Sequence, residues 1–316
     1  MKAMVIDRFG GPEQLHPAEI KTPEPQSGEV LIKIECTSVN PVDWKIREGM
    51  LESLFPHDFP LILGWDAAGT VAAVGDGVRP SRVGERVYAY CRKPRVQWGT
   101  YAEYVTMPAA AIAPMPQVLS FAETASIPLV GLTSWQALFA AAHLAAGQSV
   151  LILNGAGGTG SLAIQFAKHA GASVLACASA GNLEYVRSLG ADVVIDYRSA
   201  DVVAEVRAHA PEGMDVIYAN IGGEPQRQSY ALLKAGGTLV TIVDAADEGA
   251  ARAVGATALY LFVEPDGGQL REIARLIEAS FVRPPQMTVM KLEEAAEAHR
   301  MSEGNHVRGK IVLSVT

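Results

Sequence analysis

Hydrophobic and polar positions follow two different rhythms along the 316-residue chain. In the first part, short apolar runs alternate with polar positions, and glycine and proline separate them. Residues 29–39 place Val30, Ile32 and Ile34 on one face of a strand. Twelve of the 18 prolines lie within residues 1–116. This pattern predicts a β-rich, irregular region, in which 29–39 is an edge strand with one buried face.

From about residue 124, apolar strand-like runs alternate with amphipathic helices. The apolar runs are 149–154, 173–179, 191–197, 215–220 and 238–243. Strands that alternate with helices predict right-handed βαβ units and a parallel sheet, so the fold class is α/β. Beyond residue 264, the pattern predicts a helix over 267–281, a short helix over 292–301 and a last strand over 309–315.

Composition narrows the classes of protein and partner. The chain is 49% hydrophobic and 19% charged, which suits a large core. Its net charge of −8 argues against nucleic acid as a main partner. Residues 125–146 lack charged side chains and have nearly the length of a membrane span, but a buried α/β core has the same signature, so we expect no membrane partner.

The cysteines and the N-terminus bear on cellular location. Cys36, Cys91 and Cys177 are far apart and form no C-x-x-C pair, which indicates a reducing compartment. The first residues, MKAMVIDRFGG, lack the apolar segment of a secretory signal. We therefore expect a cytoplasmic protein.

Residues 154–160, NGAGGTG, predict a dinucleotide site. Gly155, Gly157 and Gly160 fit G-x-G-x-x-G between an apolar strand and a helix, with Gly158 and Thr159 inside the loop. In this motif the first glycine permits the tight turn and the second lets a pyrophosphate approach the backbone. The third lets the helix pack on the strand, and the helix N–H groups then face the anion.

The second strand indicates which dinucleotide binds. An acidic residue about 20 positions beyond the loop would bind the ribose hydroxyl of NAD, but Ser179 lies there, and no Asp or Glu occurs between Gly160 and Glu184. A serine hydroxyl can donate to a 2′-phosphate, which a carboxylate would repel. Tyr197 and Arg198 could complete a phosphate site, or they could be ordinary surface residues. The pattern favours NADPH over NADH.

Several motifs in order resemble the medium-chain dehydrogenase/reductase superfamily, in its zinc-independent, zeta-crystallin-like quinone oxidoreductase branch. They include SVNPVDWKIREG, FPLILGWDAAGTVAAVG, LVGLTSWQAL, GAGGTGSLAIQFAK and HVRGKIVL. The resemblance spans essentially the whole chain. It implies a GroES-like catalytic domain over 1–123 and 264–316, and a doubly wound Rossmann cofactor domain over 124–263.

The resemblance also bears on metal. Zinc-dependent alcohol dehydrogenases of this superfamily carry ligands where this chain has Asn40, Trp65 and Val130, and none of these is a usual zinc ligand. We therefore predict no metal. Trp65 would wall a substrate pocket with Trp44 as a second aromatic candidate, although simple core packing also accounts for Trp65.

Asn40 and Thr133 resemble family positions near the nicotinamide end of the cofactor, and Asn40 could also reach the acceptor. The neighbouring Asp43, Lys45 and Arg47 are predicted to be partly exposed charges that support their loop, with an ion-pair cluster orienting Asn40 as the alternative. The seven histidines show no metal spacing. No side-chain acid or base stands out as catalytic.

The resemblance implies an enzyme that transfers hydride from NADPH to quinones or activated α,β-unsaturated carbonyls. An enoyl-thioester or 2-alkenal reductase is the alternative enzyme. A non-catalytic NADPH-binding protein, like the crystallins and RNA binders of the family, is the alternative of another class. The apolar, β-prone residues 256–264 predict a bare edge strand that pairs in a homodimer, or else an internal strand covered by the helix over 267–281.

Overall fold

The structure, a computed structural model, describes residues 1–79, 81–304 and 307–315. It divides into two compact units. The first unit comprises Met1–Leu132, Glu264–Ser280 and Pro284–Thr316, and the second comprises Thr133–Val263 and Phe281–Arg283. The functional domains predicted from the sequence stay a prediction, because compactness alone does not define a domain's function.

The strands and helices follow in chain order. The strands are β1 (Lys2–Ile6), β2 (His16–Glu19), β3 (Glu29–Val39), β4 (His57–Ile62), β5 (Asp66–Val74), β6 (Arg86–Tyr90), β7 (Val96–Trp98), β8 (Tyr104–Pro108), β9 (Ile112–Pro114), β10 (Ser149–Ile152), β11 (Ser173–Ala178), β12 (Val193–Asp196), β13 (Met214–Ala219), β14 (Leu233–Thr241), β15 (Thr257–Tyr260), β16 (Met287–Lys291) and β17 (Lys310–Ser314). The α-helices are α1 (Pro41–Arg47), α2 (Phe121–Ala125), α3 (Pro128–Trp135), α4 (Gly158–His169), α5 (Leu183–Ser188), α6 (Val202–His209), α7 (Glu224–Ser229), α8 (Glu248–Ala253), α9 (Gly267–Glu278) and α10 (Ala295–Glu303).

The first unit contains two sheets. One has the order β2-β1-β4-β7, and the other has the order β16-β17-β3-β5-β6-β9, with β8 also paired to β3. The prediction of an edge strand over 29–39 is wrong, because β3 pairs with β5, β8 and β17. Distant segments thus pair with both edges of β3, and even Leu31, on the face predicted to be polar, is only 8% exposed.

The register of β3 places the beginnings of two other strands beside its carboxyl end. Val39 pairs with Ile311 near the start of β17, and Cys36 pairs with Ala68 near the start of β5. Both pairings are antiparallel. The end of β3 and the beginnings of β5 and β17 therefore lie together, although they are far apart in the chain.

The second unit confirms the predicted parallel sheet. Its strands have the order β12-β11-β10-β13-β14-β15, and every neighbouring pair is parallel. Leu151, Leu175, Ile217 and Leu239 fill its core. In such a doubly wound sheet the strand order reverses beside the first strand, here β10, and ligands bind at the carboxyl ends of the strands there.

The uncharged stretch over 125–146 folds as α3 followed by a π-helical segment, Gln136–Ala141. In the part of the chain that the structure describes, no helix is long and apolar enough to cross a membrane.

Candidate functional site

The glycine loop lies at the carboxyl end of β10. The backbone N–H of Gly155 donates to the Cys177 carbonyl at 2.9 Å. A Cβ at Gly155 would lie 3.1–3.3 Å from the side chains of Ala176, Val186 and Ile164. Its backbone φ is not in the left-handed region. Close packing, rather than the expected tight turn, favours glycine at 155.

Gly160 brings helix α4 directly onto the end of the strand. A Cβ at this position would lie 1.8 Å from the backbone oxygen of Asn154, so no side chain fits. Gly157 precedes the helix in extended conformation, and no side chain caps it. The first N–H groups of α4, at Gly158 and Thr159, have no carbonyl one turn back to receive them, which is the usual arrangement for binding an anion.

Asn220, which follows β13, clamps this loop from the neighbouring strand. Its side-chain oxygen accepts from the Asn154 N–H at 2.9 Å, and its amide donates to the Asn154 oxygen at 3.0 Å and to Thr159 Oγ1 at 3.2 Å. Sequence reasoning missed Asn220. The strand order alone points to it, because β10 and β13 are neighbours and an asparagine, Asn154 or Asn220, follows each of them within two residues.

Thr133, predicted to lie near the nicotinamide, is in α3 and 4% exposed. The next residue, Ser134, donates its hydroxyl to the backbone oxygen of Thr159 at 2.8 Å. The helix that carries Thr133 is therefore tied to the glycine loop within the second unit.

Ser179, Tyr197 and Arg198 lie at adjacent strand ends. Strands β11 and β12 pair Ala178 with Asp196, so Ser179 and Tyr197 occupy the next positions. Ser179 Oγ accepts from Asn182 Nδ2 at 3.1 Å. The Arg198 guanidinium lies 5.8 Å from the ring centroid of Tyr197, which is 49% exposed. The fold thus brings the three residues predicted to select the cofactor to one edge of the sheet.

Asn40 lies in the first unit, between β3 and α1, and is 1% exposed. Its backbone N–H donates to Asp43 Oδ2 at 2.8 Å. Its side-chain amide donates to Asp66 Oδ2 at 2.7 Å, and its side-chain oxygen accepts from the Lys310 ammonium at 2.6 Å. Backbone and side chain are therefore both held by buried charged groups.

Asp66 and Lys310 are the charges beside Asn40, and both are buried. Asp66 also accepts from the Ser38 hydroxyl and the Leu129 N–H, each at 2.6 Å. Lys310 Nζ lies 3.5 Å from Asp66 Oδ2. Burial lowers the pKa of the Lys310 ammonium, and the nearby carboxylates Asp66 and Asp43 oppose that change.

A second buried chain of hydrogen bonds leads to Asp43. Arg47 Nη1 lies 3.0 Å from His299 Nδ1, His299 Nε2 lies 3.0 Å from the Tyr101 hydroxyl, and that hydroxyl donates to Asp43 Oδ2 at 3.0 Å. Since guanidinium can only donate, Nδ1 of His299 accepts and its Nε2 carries the proton. Burial raises the pKa of Asp43 to about 7 and lowers the pKa of His299 to about 3.

These contacts correct the prediction of partly exposed charges after Asn40. Asp43 and Arg47 are both 0% exposed. They do not orient Asn40 as one direct ion pair, because Tyr101 and His299 lie between them. Lys45 does follow the prediction of partial exposure, and its ammonium lies 5.7 Å from the ring centroid of Trp44.

The two tryptophans predicted for the substrate pocket differ in exposure. Trp65 is 3% exposed and packs edge-on against Phe55 and Tyr90, with ring centroids 5.9 Å and 6.0 Å away. Trp44 is half-buried, and within the described ranges its buried Nε1 has no hydrogen-bond partner. Trp65 is thus an interior aromatic, and its contact with substrate stays a prediction.

Within residues 1–79, 81–304 and 307–315, no group of three or more His, Cys, Asp or Glu side chains is arranged to hold a metal ion.

The residues around Asn40 that sequence reasoning missed are Ser38, Tyr101, His299 and Lys310. Tyr101 and Lys310 lie inside recognisable motifs, but their partners are 58 and 270 residues away along the chain. Only the tertiary structure shows that they meet.

Two families match the chain: the alcohol dehydrogenase GroES-like domain over residues 26–117, and the zinc-binding dehydrogenase over residues 189–313. The NADPH-dependent alkenal/one oxidoreductase of Arabidopsis thaliana chloroplasts is 35% identical, over 99% of this chain and 79% of its own length.

Among solved structures, the quinone oxidoreductase from Coxiella burnetii has a TM-score of 0.90 and 32% identity, and the match covers 100% of this chain and 99% of the other. An NAD-dependent alcohol dehydrogenase has a TM-score of 0.90 and 31% identity, with full coverage of both chains. The chain belongs to the medium-chain dehydrogenase/reductase superfamily, in the branch of the quinone and alkenal oxidoreductases. It is an oxidoreductase with a GroES-like β-rich region and a Rossmann-like parallel sheet.

Proposed function

We propose that the protein transfers hydride from NADPH to quinones or activated α,β-unsaturated carbonyls, without zinc. The observation that carries this proposal is the Asn40 corner, the buried cluster of Asn40, Asp43, Asp66 and Lys310, in a chain that also has a dinucleotide loop. The positions that bind zinc in related alcohol dehydrogenases hold Asn40, Trp65 and Val130, which are not usual metal ligands. Without a Lewis acid, the acceptor must already be activated by conjugation.

The residues of this chain serve to bind and orient. A bound reduced nicotinamide supplies the hydride, and Gly155–Gly160 and the start of α4 would hold its pyrophosphate. Asn40 would contribute a hydrogen bond, and Trp65 and Trp44 would supply flat apolar surface for the acceptor. Thr133 would lie near the nicotinamide end.

The test measures NADPH oxidation with a panel of ortho- and para-quinones, enals, enones and an enoyl thioester. The control measures the reverse reaction, the reduction of NADP⁺ by simple alcohols. We expect turnover with quinones or enones and negligible oxidation of alcohols. Turnover of the thioester alone would favour the enoyl-thioester alternative. A preference for enals would favour a 2-alkenal reductase, which the alkenal/one relative supports. NADPH binding without turnover of any acceptor would favour a non-catalytic binding protein.

Trp65→Ala tests the predicted pocket wall. We expect a raised KM or a lowered kcat for the acceptors, with NADPH affinity nearly unchanged. Trp98→Ala is the matched control, because Trp98 is 39% exposed on strand β7 of the same unit. If Trp65→Ala changes only the thermal stability, simple core packing is the correct account of this tryptophan.

We propose that Ser179, Tyr197 and Arg198 favour NADPH over NADH. Ser179→Asp replaces a possible donor by a carboxylate that repels a 2′-phosphate, and it should weaken NADPH binding by about 1–3 kcal/mol. Ser53→Asp adds the same charge at an exposed position of the other unit and should leave the affinity unchanged. Equal dissociation constants for NADPH and NADH in the unmodified protein would contradict this preference.

We further propose a cytoplasmic homodimer that pairs through β15. This strand is the last in its sheet, and Leu259 and Tyr260 are 39% and 50% exposed. An apolar edge strand favours pairing with a symmetry mate. Light scattering should give twice the chain mass of 33.5 kDa. Leu259→Lys should shift the mass toward the monomer, and a monomeric unmodified protein would rule the proposal out.

A further inference from the structure

Lys310 is a buried cation whose partners converge on Asn40. It is 4% exposed, and it donates to the Val39 backbone oxygen at 2.8 Å and to Asn40 Oδ1 at 2.6 Å. Asp66, 3.5 Å away, carries the compensating charge. Replacing a buried ion pair by apolar side chains is often neutral or stabilising. Stability by itself therefore does not explain why this pair lies in the interior.

The pair does leave Asn40 only one side-chain orientation. An ammonium can only donate and a carboxylate can only accept, so Oδ1 must face Lys310 and Nδ2 must face Asp66. Rotating the amide by half a turn would place donor against donor and acceptor against acceptor. In this orientation, one N–H of Nδ2 remains without a partner among the described residues.

The backbone of Asn40 is held as well. Its N–H donates to Asp43 Oδ2, which Tyr101 also contacts at 3.0 Å. The uncommitted N–H of the side chain thus has a fixed origin and a fixed direction, as a group that must align a ligand requires.

We propose that Lys310, together with Asp66, is a positioning residue for hydride transfer, because the pair aims the free amide N–H of Asn40 at a carbonyl oxygen of the bound ligands. This inference rests on the proposed function. The carbonyl belongs to the acceptor or to the nicotinamide carboxamide, and these two sources are separable by experiment.

The decisive variant is the double substitution Asp66→Asn with Lys310→Met. Each single substitution leaves an unpaired buried charge and is expected to unfold readily, so the singles do not test the mechanism. The double variant removes both charges at similar volume. It removes the orientation too, because the Asn introduced at position 66 can both donate and accept.

We expect the double variant to keep its melting temperature within a few degrees and to lose about tenfold in kcat/KM, which is the usual effect of one hydrogen bond that is no longer oriented. An unchanged NADPH dissociation constant assigns the carbonyl to the acceptor. A raised dissociation constant assigns it to the nicotinamide. Arg95→Met with Asp58→Asn is the matched control, because that pair is exposed in the same unit, and its removal should leave kcat/KM unchanged.

A double-mutant cycle with Asn40→Ala tests whether the pair acts through Asn40. In the Asn40→Ala background, the double substitution should have no further effect on kcat/KM or on NADPH binding. Effects that add would show that the pair acts by another route. A folded double variant with unmodified kinetics and affinity would likewise overturn the proposal.

Orientation has a readout that does not need turnover. The side-chain amide ¹H–¹⁵N signals of Asn40, assigned by their loss in Asn40→Ala, should be two separated resonances, and the proton that faces Asp66 should be protected from exchange. In the double variant this protection should be lost. If the unmodified protein reduces no acceptor, the proposed function fails, whereas unprotected Asn40 signals in the unmodified protein would overturn the orientation claim itself.

Discussion

The glycine loop of the second unit and the Asn40 corner of the first unit differ in how many side chains and buried charges they contain. Around the loop, the backbone of Asn154 lies so close to Gly160 that no side chain fits at position 160. Among the residues that the structure describes, no charged side chain takes part in the hydrogen bonds of the loop. Around Asn40, by contrast, Asp43, Asp66 and Lys310 are buried charges. A pyrophosphate needs open N–H groups at short range, whereas an oriented amide needs rigid partners. The loop is therefore built where side chains would not fit, whereas the Asn40 corner is built from buried side chains that hydrogen-bond to Asn40.

The largest effect is expected from adding one methyl group to the loop. Gly160→Ala would place Cβ 1.8 Å from the Asn154 backbone oxygen, so the helix must move away from the strand. We expect a loss of roughly 3 kcal/mol or more in the free energy of unfolding, together with loss of NADPH binding. Thermal unfolding and NADPH fluorescence titration measure the two.

The matched control is Gly181→Ala in the same unit, where a Cβ would meet nothing within 4 Å. It should leave the unfolding free energy nearly unchanged. Normal NADPH binding by Gly160→Ala would break the contrast, because the loop would then tolerate a side chain.

A second prediction concerns the pH dependence of the corner. The pKa of Asp43 is raised to about 7, so the folded state keeps a proton that the unfolded state loses, and stability falls as the pH rises from about 4 to about 7. The pKa of His299 is lowered to about 3, so the unfolded state takes up the proton first, and stability rises between about pH 3 and 6.5. The two slopes, each at most about 1.4 kcal/mol per pH unit, oppose one another.

Removing either group should expose the other slope. We expect Asp43→Asn to become more stable as the pH rises from 4 to 6.5, and His299→Gln to become less stable over the same range. Urea unfolding at several pH values measures both, relative to the unmodified protein. Parallel pH profiles for the two variants would show that these groups do not titrate as their burial requires.

The smallest expected effect comes from two tyrosines on one face of β6. Tyr88 and Tyr90 are both 0% exposed, but the Tyr88 hydroxyl donates to the Leu270 oxygen at 2.6 Å, whereas within the described ranges that of Tyr90 has no partner. Tyr88→Phe should cost about 1 kcal/mol, because it removes a buried hydrogen bond to a carbonyl of helix α9. Tyr90→Phe should be neutral or stabilising. Denaturation midpoints of the two variants sharpen the comparison, and equal losses would show that partner satisfaction does not govern this region.

The sequence alone was sufficient for the features that depend on neighbouring residues. The alternation of strands and helices after residue 124 predicted the parallel sheet, and the spacing of Gly155, Gly157 and Gly160 predicted a loop between strand and helix, as the structure has it. The non-ligating residue types at Asn40, Trp65 and Val130 can also be read directly from the sequence. Periodicity and local motifs carry this information because residues a few positions apart share a face or a turn.

Only the tertiary structure decided how the Asn40 corner is built. Strand β3 is central because β17 and β8 arrive from distant parts of the chain. Tyr101 and His299, which are also distant in sequence, contact Asp43 and Arg47, which are buried although the local pattern predicted partial exposure. His299 carried no motif, yet it lies against Arg47 across 252 residues of sequence. Whether a charge is buried depends on the segments that pack over it, and so on strand order and register. The hydrophobic pattern around a single residue does not encode these long-range pairings.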